Sequence, residues 1–173
     1  MKALTTRRIA TAAVVGALYV VLTYFGSIFG ITFGPVQCRF SEALCVLPFL
    51  FPETAWGLGI GCLISNIISP YGVLDMAVGS LTTLIAALLT ARCRSRYLAP
   101  APPVILNGLF VGGMLAYYET GFGNAFGAAF AFNGLAVAAG EVIACYGLGM
   151  LLLWQLPRIP FFRRMMEDNA VQK

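Results

Sequence analysis

The chain has 173 residues, of which 60% are hydrophobic and only 10% charged, with a mean hydropathy of +0.85. A globular domain carries about 25% charged residues, so composition excludes an ordinary soluble fold. The net charge of +4 comes from Lys/Arg clusters beside apolar blocks rather than from a basic face, so nucleic acid is not an expected partner; with no histidine, His-based catalysis and metal binding are excluded as well.

The apolar blocks approach or reach the roughly 20 residues that a membrane-spanning helix needs. None alternates with the two-residue period of a membrane barrel. The first block, Ile9 to Phe29, follows Lys2, Arg7 and Arg8 and is too long for a signal h-region. It reads as a first spanning helix whose start faces the cytoplasm. Two more clusters, Arg92/Arg94/Arg96 and Arg158/Arg163/Arg164, belong on the same side by the positive-inside rule.

An even number of spans must then separate each pair of clusters. Two blocks lie between Arg96 and Arg158, but three lie between Arg8 and Arg92, so one of those three must hide a reversal. The block from Phe40 to Ile68 is the longest and contains Pro48 and the run Phe51-Pro-Glu-Thr54, a turn signal. The expected fold is therefore an all-α integral membrane bundle of six helices with N and C termini cytoplasmic. Its helices run about 9–29, 38–51, 54–68, 73–91, 101–118 and 127–154, in one transmembrane domain. Helices 2 and 3 are short for a span, and the polar cytoplasmic tail, 160–173, is expected to fray. The localisation implied is the cell membrane, multi-pass.

Polar side chains inside such helices cost at least about 2.5 kcal/mol each by insertion scales, which makes every one a functional candidate. Arg39 and Glu42 lie three apart on helix 2, where they can pair with each other or face a ligand. Asn66 ends helix 3 and Asp75 begins helix 4, positions that also suit caps. With Asn133, these groups are expected to gather in the outer half. Glu141 has no cation near it in sequence and reads as a ligand-binding carboxylate. Asn107, on the antiparallel helix 5, is placed at a similar depth. Phe33, Tyr71, Tyr117, Tyr118, Phe122 and Phe126 cluster toward the outside as an interface belt, one or two of them free to stack on a planar ligand.

Five cysteines stand singly, without the spacing of a metal site, and read as small packing residues. No cofactor is implied. Helix 1 carries Ala13/Ala17 and Ala12/Gly16 at four-residue spacing, and helix 3 carries Gly57/Gly61. Such stripes let helices approach closely. There is no Walker loop, no H-E-x-x-H and no G-x-S-x-G, so the chain has neither an ATP-driven engine nor a recognisable catalytic motif.

The run from Pro35 to Pro48, PVQCRFSEALCVLP, resembles the Q-x-R-x-S-E-A-L-x-x-L-P pattern of the QueT family, substrate-binding S components of energy-coupling factor (ECF) transporters. Further matches, in order, are Gly61–Asn66, Leu74–Leu84, Pro102–Asn107 and Gly140-Glu141. The resemblance implies uptake of a queuosine precursor, a 7-deazaguanine base. It also implies partners: a membrane coupling protein (T component), met through Ala13 and Ala17 of helix 1, and two ATPase subunits whose work topples the bundle. Substrate contacts would fall to Gln37, Arg39, Glu42, Asn66, Asp75, Asn107 and Glu141. On the residues alone, alternatives stay open: an S component for another nucleobase or vitamin, an intramembrane enzyme using Glu42, Asp75 or Glu141, or a structural assembly subunit.

Overall fold

A computed structural model describes residues 6–30 and 39–171. Gln37, the start expected for helix 2 and Phe33 lie outside these residues. Every regular element described is helical. Helix 1 spans Thr6–Ile28, helix 4 Gly72–Thr90, helix 5 Ala101–Thr120 and helix 6 Phe126–Arg158; all four are long and apolar enough to cross a membrane. Two shorter apolar helices complete the set, helix 2 at Phe40–Phe49 and helix 3 at Thr54–Ile68. Exposed Val14, Val21, Ile60, Leu81, Leu135 and Leu151 on four of them give the bundle an apolar outer surface, as lipid requires.

The reversal expected at Phe51–Thr54 is present. Helix 2 ends at Phe49, and helix 3 opens at Thr54, whose hydroxyl donates to the Phe51 carbonyl at 2.7 Å. Helix 2 itself differs from the α-helix expected over 38–51, because it is wound as a 3-10 helix with Pro48 inside it. The tighter winding rises about 2.0 Å per residue, so ten residues cover roughly 20 Å where an α-helix covers about 15 Å. This gain in length explains how so short a segment reaches deep into the bundle. Helix 2 touches helices 1, 3, 4 and 6, and Ser41 through Pro48 are all buried. It is the axis of the fold.

Helices 1 and 3 meet along their small-residue stripes. A Cβ on Gly57 would lie 1.9 Å from the Ala12 carbonyl oxygen, and one on Gly61 would lie 2.7 Å from that of Gly16. Ala12 and Gly16 are therefore spent on packing inside the bundle, while Ala13 and Ala17 remain exposed. Helices 5 and 6 form a second such seam, where a Cβ on Gly112 would lie 2.5 Å from the Gly134 Cα. Helix 5 ends at Gly121, whose φ of 58° suits glycine and whose N–H caps the Tyr117 carbonyl at 2.8 Å.

The tail expected to fray instead forms helix 7, Pro160–Val171. Phe162 sets its ring 6.2 Å from that of Phe51, and Met165 is buried, so the apolar side of an amphipathic segment finds a partner at the helix 2–helix 3 turn. Arg7 lines the same groove as Phe51 and Phe162. Ala99, which follows Arg92/Arg94/Arg96, packs with Val46 and Leu153 beside Phe49 and Leu50. The described residues of the three basic clusters thus gather at one end of the bundle, the end of the helix 2–helix 3 turn.

Candidate ligand site

The polar side chains gather toward the opposite end, around the start of helix 2. Arg39 precedes that helix with extended backbone, φ −87° and ψ 111°, so it does not share a helical face with Glu42. Its guanidinium instead crosses to helices 3 and 4, donating to Asn66 Oδ1 at 3.3 Å and to Asp75 Oδ2 at 3.4 Å. The expected alternative of an Arg39–Glu42 pair is therefore replaced by Arg39–Asp75. The Ser69 hydroxyl donates to the same Asp75 oxygen at 2.6 Å, and the Asn66 amide donates to the Asp75 backbone carbonyl at 2.9 Å. Asp75 Oδ1 has no hydrogen-bond partner among the described residues.

Glu42 is held from two sides by neutral donors. The Tyr19 hydroxyl of helix 1 donates to Oε1, and the Cys45 thiol donates to Oε2 at 2.9 Å. Glu141 is held by the Asn107 amide at 2.8 Å on Oε1 and approached by the Cys145 thiol at 3.5 Å on Oε2. The same thiol reaches the Glu42 backbone carbonyl at 3.3 Å and so ties helix 6 to helix 2. The expected nearness of Asn107 and Glu141 on antiparallel helices is what the structure has.

Both of those residues stand at irregular turns. Helix 5 switches to π winding at Asn107–Val111, and helix 6 does so at Val142–Gly149, immediately after Glu141. A π turn inserts one residue into the helical ladder and recurs at functional sites. Here it re-aims the two side chains toward each other and toward the bundle interior. Gly79 serves a similar end on helix 4, for a Cβ there would lie 2.6 Å from the Asn66 amide nitrogen and 2.9 Å from Asp75 Oδ1.

Arg39, Glu42, Gly79, Thr83, Asn107, Val111, Val137 and Glu141 surround a cavity of about 10 Å³. That is room for about one water molecule; small-molecule pockets run to about 300 Å³ or more. The site as it stands has no ligand-sized space, and its polar groups, Asp75 Oδ1 apart, are hydrogen-bonded within the bundle. Of the expected contacts, Arg39, Glu42, Asn107 and Glu141 line the cavity. Asn66 and Asp75 stand behind Arg39. Asn133 does not join them: its amide donates to Glu119 at 2.9 Å.

Sequence reasoning missed Tyr19, and it gave Cys45 and Cys145 packing roles only. Both thiols are buried and also hydrogen-bond to the site. A phenol in the middle of a spanning helix, away from either interface, was the signal available for Tyr19. Above the site Tyr71 and Tyr118 make an edge-to-face pair at 5.3 Å, and Tyr117, Phe122, Phe126 and Phe130 form a chain of rings at 4.9–6.1 Å. No group of three metal-ligating side chains occurs among the described residues.

Comparison with known proteins bears on what such a site is for. The sequence profile of the QueT transporter family matches residues 9–158. A "Queuosine precursor transporter QueT" from Lactococcus lactis subsp. cremoris (strain MG1363) is 41% identical over 85 residues, which is 49% of this chain and 50% of that protein. No solved structure matches the chain. These are transporters rather than enzymes, and the long apolar helices agree with a multi-pass protein of the bacterial cell membrane. Most of the length falls within one family's pattern, and the chain belongs to the QueT transporter family.

Proposed function

We propose that the chain is the substrate-binding S component of an ECF-type importer and captures a queuosine precursor, a 7-deazaguanine base. On this reading all six helices span the membrane, both termini are cytoplasmic, and the polar end of the bundle opens outward. The observation that carries the reading is the Glu141–Asn107 pair, a buried carboxylate and amide at 2.8 Å on the wall of the cavity. A guanine-like edge offers adjacent N–H donors that a carboxylate accepts as charge-assisted bonds, while the Asn107 amide can turn to the base's carbonyl or ring nitrogen. Gln37, Arg39, Glu42, Asn66 and Asp75 complete the proposed set of substrate contacts; Arg39 and Glu42 line the cavity, and Asn66 and Asp75 hold Arg39.

Release inward needs an energy source, and the chain has no nucleotide-binding loop of its own. A membrane coupling protein and two ATPase subunits would supply it by toppling the bundle. Ala13 and Ala17 offer the contact: both are exposed on the wall of an apolar groove of about 430 Å³ between helices 1 and 3. The test is binding of a 7-deazaguanine base to the purified protein by calorimetry. Glu141→Ala is expected to lower affinity at least about a hundredfold, as loss of a buried charged partner does; unchanged affinity would sink the reading. Ala13→Trp is expected to leave binding intact and abolish uptake in cells, and normal uptake would remove the coupling role.

A further inference from the structure

Helix 1 separates two apolar grooves. One, lined by Ala13, Ala17, Gly57 and Gly61, offers small residues to a partner helix. The other lies on the far side of helix 1 and has a volume of about 530 Å³. Leu44 and Leu47 of helix 2 form its floor, and Leu156 of helix 6 with Phe161 of helix 7 stands across it from helix 1. Among the residues that line this second groove Arg7 alone is charged, and the Thr11 hydroxyl donates back to the Arg7 carbonyl at 2.9 Å. Arg7 is exposed in the first turn of helix 1, at the basic end of the bundle.

Arg7 and Leu18 mark the ends of the helix 1 wall and stand about 16 Å apart along its axis at 1.5 Å per residue. That is about half of the roughly 30 Å hydrocarbon core, the depth of one leaflet. The large side chains of this groove deny a helix the close backbone approach that small residues give. A flexible hydrocarbon chain can follow such a surface and supply the dispersion contacts an apolar groove otherwise lacks. At the headgroup level a guanidinium matches a phosphate through paired, charge-assisted bonds, and basic pockets between spanning helices on the cytoplasmic side select anionic lipids in this way. We infer that this groove is a binding site for an anionic phospholipid of the cytoplasmic leaflet. One acyl chain lies along helix 1 from Arg7 to Leu18, and Arg7 holds the headgroup phosphate. Helix 7 extends the site, because exposed Arg163 and Arg164 follow Phe161, with Arg163 in an exposed pair with Glu167 at 3.8 Å. Such surface pairs are worth little, so both side chains can turn to headgroups. The bound lipid joins helix 1 to helix 7, and it does so whatever the polar cavity takes.

The test is native mass spectrometry of the purified full-length protein after incubation with equimolar phosphatidylglycerol and phosphatidylcholine of identical acyl chains. Phosphatidylglycerol is expected to be retained at least about fivefold over phosphatidylcholine, the worth of one basic side chain near an anionic headgroup. Arg7→Gln is expected to remove that preference. Val14→Trp, which fills the groove from an exposed position, is expected to lower retention of both lipids at least about fivefold. Arg94→Gln takes the same charge from the same end but outside the groove, and retention is expected to stay within about twofold. Equal retention of the two lipids by the unaltered protein overturns the inference and requires no variant to fold. Equal losses in Arg7→Gln and Arg94→Gln overturn it too, by reducing it to the general charge of the surface. Unaltered retention in Val14→Trp also overturns it, and loss of uptake in that variant with lipid still bound assigns the groove to the coupling protein instead.

Discussion

The molecule has two seams where glycines bring helices into backbone contact, and they differ in what they do. Between helices 1 and 3 the winding is α-helical on both sides through Ala12, Gly16, Gly57 and Gly61, and the glycines themselves carry no ligand-site residue. Between helices 5 and 6 the seam of Gly108, Gly112 and Gly134 adjoins the π turn that begins at Asn107. The first seam is a clamp. The second combines close approach with an irregular ladder that aims Asn107 and Glu141 at each other, so the same small-residue device serves rigidity in one place and adjustability in the other.

Filling the clamp has the largest expected effect. In Gly57→Ala the new methyl would stand 1.9 Å from the Ala12 carbonyl oxygen and 2.7 Å from its carbon. Neither neighbour is a side chain that can rotate away, so the helices must part. The expected cost is about 3 kcal/mol or more, read as loss of monodisperse protein on size exclusion and a fall in detergent melting temperature. Gly112→Ala should be felt differently. Its methyl would meet the Gly134 Cα at 2.5 Å, but the adjacent π turn can take up a shift of about one residue's rotation. Stability is expected to fall by about 1–3 kcal/mol, with ligand affinity falling at least tenfold as the Asn107–Glu141 pair is pulled apart (roughly the factor one lost hydrogen bond to a charge is worth). If Gly57→Ala and Gly112→Ala proved equally harmful to folding and equally harmless to binding, the contrast between the seams would be lost.

Much of this was legible before any coordinates. Charge parity demanded a hidden reversal between Arg8 and Arg92, and the length of the Phe40–Ile68 block with its Pro48 and Phe51-Pro-Glu-Thr54 run placed it at Phe51–Thr54. Antiparallel depth placed Asn107 near Glu141. Other features were not legible, for identifiable reasons. A run such as FSEALCVLPF is compatible with α or 3-10 winding, and only the depth it must cover selects the longer form. The π turns are one-residue changes of register with no composition of their own. Arg39 reads as a helical neighbour of Glu42 only if it is helical; its extended backbone sends it to Asp75 instead. Asn133 lies at the right depth but meets Glu119 first. The tail looked too polar to hold, yet Phe162 and Met165 recur on one side and find the Phe51 turn.

The smallest expected effect comes from a glycine that belongs to neither seam. Gly127 lies in the first turn of helix 6, exposed, with nothing within 4 Å of a Cβ built on it and without the positive φ that would favour glycine. Alanine there restricts the unfolded chain and raises helix propensity without a new contact, which is worth about 0.5–1 kcal/mol in favour of the fold. Gly127→Ala is therefore expected to raise the melting temperature slightly and to leave ligand affinity within about twofold. It separates two explanations of the seam variants. If Gly127→Ala were as damaging as Gly57→Ala, glycine would matter here for the flexibility of the helices in general. A neutral or stabilising result ties the damage at Gly57 and Gly112 to the atoms their methyl groups would strike.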